Sequence, residues 1–167
     1  HNEQRQRLVI DSVAKVLEEP DFDHAALRFV NLLGRHLNAE RVVLGFIKNR
    51  ELHIHSESDS SGQSKKHERL KLTTLALQET VDQQESVVWP PLESMDTVTI
   101  AHQKLAEEEG KHCLMSIPLV DKELCYGAIL FDRSAEQPFS ENERVTAEAL
   151  ANFSGAVLEE KRQADLP

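Results

Sequence analysis

Eight histidines and two cysteines are the side chains in this 167-residue chain best suited to metal ligation or nucleophilic chemistry. His53 and His55 stand two apart in an alternating stretch, so they face one side of a strand and make half of a metal site. No Asp, Glu or Cys lies at a convincing ligand spacing nearby, and the pair reads as a solvent-facing polar stripe. His112 and Cys113 are neighbours in an extended stretch, point to opposite faces, and cannot share one ion without a bulge. No metal site is expected. A cysteine nucleophile needs a helix N-terminus or a fixed cation to lower its pKa, and a strand interior supplies neither. Ser60-Ser61-Gly62 and Ser154-Gly155 lack a strand-turn-helix elbow. Glu107-Glu108-Glu109 reads as an exposed helix end, and none of the six glycines forms a phosphate-cradling loop. No catalytic residue is expected.

The elements that would position these residues are legible. Residues 2–19 place Val9, Ile10, Val13, Val16 and Leu17 at helical spacing, and Pro20 stops them. Asp23 is the expected N-cap of a second helix through Leu27, Val30, Leu33 and Leu37. Residues 41–48 are a β-branched and aromatic run, and Asn49-Arg50 separates them from Leu52-His53-Ile54-His55, which predicts a hairpin. Residues 57–69 carry no apolar side chain and read as a solvated loop, a candidate lid. A helix over 70–83 follows, then an edge strand at Ser86 to Trp89 stopped by Pro90-Pro91, then a helix over 99–109 closed by Gly110. Strands over 112–120 and 123–132 turn near Asp121-Lys122. That register puts Cys113 opposite a residue near Leu130, about 17 Å from Cys125, so both thiols are expected to be free. Ser140-x-x-Glu143 is a capping box opening the longest helix, to about Arg162.

The charge balance excludes whole classes of partner. Lys and Arg number 19 and Asp and Glu 29, a formal net charge of −10. Such acidity argues against nucleic acid or anionic lipid, which need clustered cations. No apolar run approaches the roughly 20 residues of a membrane span, so no direct membrane insertion is expected. Two cysteines in a chain that can bury a real core suggest a reducing, cytoplasmic setting. The chain reads as a module of a longer protein, with an N-terminal signalling or dimerisation helix over 1–20, one domain over 21–162, and the start of a linker over 163–167.

Ser116-Ile117-Pro118-Leu119, a turn, Tyr126-Gly127-Ala128-Ile129-Leu130, then Gln137-Pro138-Phe139-Ser140 and a helix opening Glu141-Asn142-Glu143 resembles the GAF domain family. The family pattern there is a strand ending Val/Ile-Pro-Leu, a strand carrying Gly-x-Leu, then Pro-Phe-Ser/Thr and an amphipathic helix. The resemblance runs roughly from Asp21 to Lys161. It implies an α+β fold in α/β/α layers, with an antiparallel sheet of five or six strands. N- and C-terminal helices would cover one face, and a small-molecule pocket would lie on the other. Pro118, Gly127 and Ser140 have plain structural roles too, as an edge residue, a close approach and a cap, so the motifs support fold rather than activity.

The family layout implies a pocket wall from Leu44 and Phe46, or else Val43 and Ile47, with Leu77, Val87, Trp89, His102, Cys113, Met115 and Tyr126. Trp89 suits a planar or hydrophobic ligand at a pocket edge, or else plugs the pocket as core. No cofactor is identified. Haem ligation in the family would fall to His36 or His102, each of which reads more simply as a packed or surface histidine. Cyclic-nucleotide binders of the family carry Asn-Lys after the fifth strand and Phe-x3-Asp-Glu, where this chain has Asp132-Arg133 and Phe139-x3-Glu143-Arg144. The cysteine motifs of methionine sulfoxide reductases in the family are not matched, and neither cysteine is placed for a bilin. The terminal helices carry apolar residues over more than one narrow stripe, so the flank away from the sheet is covered either by packing of the two helices on each other or by a second copy. Val9, Val13, Val16, Leu150, Phe153 and Val157 are therefore candidates for an isologous dimer interface. The expected function is a sensory module, not an enzyme. An unidentified small molecule would bias the helices over 70–83 and 99–109, and the sheet would pass that bias to the terminal helices of a homodimer. The alternative is a dimerisation module whose pocket is vestigial and filled by side chains.

Overall fold

In the computed structural model, which describes residues 2–58, 66–108, 110, 112–134 and 136–166, Pro20 divides the N-terminal helices as its missing N–H requires. They are α1 (Asn2–Leu17) and α2 (Phe22–His36). The cap of α2 is Asp21, not Asp23: Asp21 is extended and its carboxylate accepts from His24 N–H at 2.9 Å. Asp23 is the second residue of α2, hydrogen-bonded to His55 Nε2 at 3.0 Å. The first hairpin, β1 (Arg41–Lys48) and β2 (Glu51–Glu57), turns on Asn49-Arg50 at φ of 55° and 68°. Two left-handed central residues match the twist of antiparallel strands. The same device, Lys122-Glu123 at φ of 52° and 69°, joins β4 (Cys113–Asp121) to β5 (Leu124–Arg133), one residue later than expected.

Between the hairpins lie α3 (Lys66–Gln83), the three-residue strand β3 (Val87–Trp89) and α4 (Ile100–Glu108). The first turn of α3 precedes the expected start because residues 66–69 hold no apolar side chain to set a period, yet Arg69 is buried and lies 3.6 Å from Glu57. The expected 57–69 loop is thus shortened at both ends, and 59–65 lies outside the described residues. The last helix, α5 (Glu141–Ala164), opens on the expected capping box, Ser140 Oγ accepting from Glu143 N–H and Glu143 from Ser140 N–H.

The five strands form one antiparallel sheet in the order β2-β1-β5-β4-β3. Cys113 pairs with Arg133 rather than with a residue near Leu130, Cys125 pairs with Val120, and both thiols are free. At the β1–β5 contact a Cβ on Gly127 would sit 2.3 Å from Gly45 O, so only glycine fits there. Strand alternation splits the core in two. Val42, Leu44, Phe46, Cys113, Met115, Ile117, Leu119, Tyr126, Ile129 and Phe131 pack under α1, α2 and α5. Val43, Leu114, Ala128 and Leu130 face Ala76, Leu77, Leu105 and Ala106 of α3 and α4. The molecule is therefore an α+β fold of three layers.

Candidate functional site

On the α3–α4 side, a polar relay runs through the apolar layer. His102, on α4, is completely buried. Its Nδ1 lies 2.7 Å from Glu79 Oε1 of α3, and its Nε2 lies 2.7 Å from Ser116 Oγ of β4. With Nδ1–H donating to a carboxylate, the neutral ring accepts the Ser116 hydroxyl proton at Nε2. Burial is the largest influence on His102 and holds its pKa below the usual imidazole value. Burial also acts to raise Glu79, but the His102 bond and the Ala101 N–H outweigh it and leave that carboxyl below its usual value. Glu79 accepts in addition from the backbone N–H groups of Ala101 (2.9 Å) and His102 (3.2 Å), at the start of α4.

One turn further along α3, the Gln83 amide makes a two-point pair with Val98: Val98 N–H donates to Oε1 at 2.7 Å and Nε2 donates to Val98 O at 2.9 Å. Above these bonds, a groove of about 480 Å³ between α3 and α4 is lined by Leu72, Leu75, Val98, Ile100, Ala101 and Lys104 among others. The Ser–His–Glu order matches a nucleophile, a base and an orienting acid. Ser116, however, is fully buried inside a strand paired on both edges, with Val87 and with Leu130. No substrate carbonyl reaches its Oγ in this packing, and the relay acts as a tie between three elements.

The nine pocket candidates fall into two groups. Leu77, Val87, Trp89 and His102 lie on the α3–α4 side, with Leu77, Val87 and His102 at 0% exposure. Leu44, Phe46, Cys113, Met115 and Tyr126 lie on the opposite face, in the core beneath the terminal helices. The correction follows from strand parity: Val43 and Ile47, not Leu44 and Phe46, point towards α3 and α4. Phe46 instead stacks with Tyr126, with centroids 6.3 Å apart, and lies under the Arg162 guanidinium. The Tyr126 hydroxyl presses on α5 where a Cβ on Gly155 would come within 2.5 Å of it. Burial pushes the Tyr126 pKa far up and raises both thiols. His36 is exposed on α2, across the sheet from His102.

At one end of the sheet, Arg41 donates to Asp132 (3.3 Å), Glu57 (3.1 Å) and Thr73 (3.2 Å), and His112 Nδ1 is hydrogen-bonded to Asp132. Asp132 is thereby taken up inside the protein. Its neighbour Arg133 makes a bidentate pair with Glu143 (2.7 Å twice), donates to the carbonyls of Leu37, Gln137 and Pro138, and stacks on Phe139 at 3.9 Å. Arg133 therefore binds Glu143 and Phe139, while Asp132 binds Arg41 and His112. His55 packs on the Phe22 ring, and no cluster of three metal-ligating side chains occurs among the described residues.

The interface candidates divide by burial. Val16 and Leu150 are fully buried in the chain's own core, while Val9, Val13 and Val157 are half-buried. Phe153 is 63% exposed and its neighbour across the helices, Ile10, 69%. Val9, Ile10, Ala149 and Phe153 line a groove of about 470 Å³ between α1 and α5. The family layout pointed to His102 but not to its partners Glu79 and Ser116. The one available sign was Ser116, a hydroxyl in the apolar run Leu114-Met115-Ser116-Ile117, which must find a partner when buried.

Among curated proteins, none matches the chain. Solved structures match its fold. The GAF domain from an Acinetobacter phosphoenolpyruvate-protein phosphotransferase superposes with a TM-score of 0.69 at 12% identity, covering 99% of this chain and 98% of that one. A free methionine-R-sulfoxide reductase from Neisseria meningitidis, solved with its substrate, gives 0.66 at 15% identity over 96% of this chain and 91% of its own. The photosensory core module of a Stigmatella aurantiaca phytochrome gives 0.66 at 12% identity, and the match covers 97% of this chain but 37% of that one. At these identities the likeness is one of fold. The layered sheet, the Gly127 contact and the Ser140 capping box coincide with a family model for the GAF domain matched over residues 21–158, and the chain belongs to the GAF domain family.

Proposed function

We propose that this GAF domain is a sensory or regulatory module that self-associates through α1 and α5 and couples those helices to the packing of α3 and α4 against the sheet. The observation that carries the proposal is the uncovered apolar stripe of Ile10 and Phe153 beside the Val9–Ala149 groove. A second copy related by a twofold axis would cover that stripe with its own. Input would enter on the opposite face, where an unidentified small molecule meets Leu77, Val87, Trp89 and His102. In this reading the domain binds rather than catalyses, works in the cytoplasm where Cys113 and Cys125 stay reduced, and belongs to a larger protein. In it α1 acts as the signalling helix, and α5 leads into a linker.

A second reading is a dimerisation module with a filled pocket. It is favoured by Leu77, Leu105, Leu114 and Leu130, all at 0% exposure between the sheet and α3–α4. Native mass spectrometry of the purified chain separates the two. A dimer carrying a defined extra mass supports the sensor, a ligand-free dimer supports the filled module, and a monomer at all concentrations overturns both.

A further inference from the structure

The first turn of helix α4 is capped from α3. Its first residues are Ile100, Ala101 and His102, and the N–H groups of Ala101 and His102 lack helical partners, as in any first turn. A local N-cap would be Thr99, but those donors go instead to Glu79, 22 and 23 residues away on α3. The same carboxylate receives the buried His102 Nδ1–H. Glu79 therefore sits where a free anion would sit at a helix N-terminus, with three N–H donors around two oxygens, and it is almost wholly buried there. The other side of His102 is tied to Ser116 in the sheet. One carboxylate thus links α3, the start of α4 and, through the imidazole, β4.

We propose that Glu79 is a tethered anion that latches α4 shut, an intramolecular contact that excludes external carboxylates from the α4 N-terminus and sets how readily the α3–α4 layer opens. The apolar part of the layer cannot supply this selectivity, because burial is non-directional whereas the three donors accept one group in one geometry. Gln83 holds Val98 in the same way one turn on, so α3 presents two side chains as a rack for the segment entering α4. When Glu79 withdraws, three donors lose their acceptor together, and α4 must find another anion or lift. The latch stands whether or not a small molecule enters the layer in nature, so its test is separate from the search for a ligand.

The test is amide hydrogen exchange on the full chain, with sodium acetate titrated against sodium chloride at equal ionic strength. In wild type, Ala101 and His102 are protected and acetate changes nothing. In Glu79→Ala, exchange at both amides accelerates by at least about tenfold. Acetate restores protection and chloride does not. Adding Thr99→Asp to Glu79→Ala supplies a cap from the neighbouring residue and restores protection without acetate. Unchanged exchange in Glu79→Ala overturns the latch. So does an equal acetate response in wild type, or a loss of protection that neither acetate nor Thr99→Asp repairs. Where Glu79→Ala fails to fold, Glu79→Gln decides: it keeps the shape and one acceptor but not the charge, and wild-type protection in that variant overturns the proposal.

Discussion

The two faces of the sheet combine apolar burial and directional bonds in different proportions. Beneath α1, α2 and α5 the contact is broad and apolar, with Phe29, Phe131, Leu33, Ile117 and Ile129 fully buried. Beneath α3 and α4 the apolar patch is smaller, and directional bonds complete it: Glu79 and Gln83 on the α4 entry, Arg41 on Thr73, and Leu52 N–H on Gln78. Apolar burial is strong and tolerant of small shifts, whereas a hydrogen bond between buried groups is nearly all-or-none. The α3–α4 face thus relies more on bonds of fixed geometry.

The comparison breaks most directly in the terminal-helix core. Phe131→Ala is expected to cost about 3–5 kcal/mol in urea denaturation, lowering the stability of both faces in one transition, since β5 is central and shared. Arg133→Ala should cost about 3 kcal/mol, because Glu143 loses its cation, keeping the Ser140 N–H, and three carbonyls lose a donor. If α5 remains protected from exchange in that variant, the clamp does not hold its N-terminal end. Leu105→Ala, at the centre of the opposite face, is expected to cost about 2–3 kcal/mol and to expose α3 and α4 to exchange before α5. Simultaneous exposure would mean that the faces are one cooperative unit.

Acid should sharpen the difference. His102 keeps a lowered pKa in the folded protein, so below its ordinary value of 6.5 the unfolded chain binds the proton first. Stability is therefore full above that pH and declines as pH falls towards the folded value, by up to about 1.4 kcal/mol per pH unit for one proton. Glu79, also lowered, adds a loss in the same direction as pH falls through and below its ordinary 4.5. The expected readout is loss of α4 protection between pH 7 and pH 5 ahead of α5, with a flatter limb in His102→Gln. The smallest effect on folding should come from the surface: Phe153→Glu or Ile10→Glu shifts stability by less than about 0.5 kcal/mol yet weakens self-association at least tenfold in sedimentation. Unaltered association would place the interface elsewhere.

Much of this fold is legible along the chain because its signals are local. Pro20, Asn49-Arg50, Gly110 and the Ser140 capping box each act within a few residues, and each ends or turns an element where expected. Misses arose where local signals fell silent or gave two equal answers. The first turn of α3 has no apolar residue, and its helix is secured by Arg69 and Thr73 reaching the buried ions of β1 and β2. Asp21 and Asp23 are equally good caps by type, and it is Asp21 whose extended backbone brings its carboxylate to His24 N–H. On β1, Val42, Val43, Leu44 and Phe46 are all buried, so alternation alone could not say which parity faces α3. The same ambiguity on β1, β4 and β5, each buried on both faces, put Leu44, Phe46, Cys113, Met115 and Tyr126 on the wrong side of the candidate site.

The order of helices and strands, the free state of both thiols, the acidic character and the GAF-like motif were determined by the sequence, because periodicity, turn chemistry and composition need no knowledge of distant residues. Tertiary structure alone decided which face each buried strand residue meets, and that Asp132, Arg133 and Glu143 bind inside the protein. It also decided that Glu79, His102 and Ser116 meet. Those three lie 23 and 14 residues apart on a helix, a helix and a strand. No periodicity spans such separations, and only the packing of two helices on a twisted sheet brings one carboxylate, one imidazole and one hydroxyl within hydrogen-bond reach.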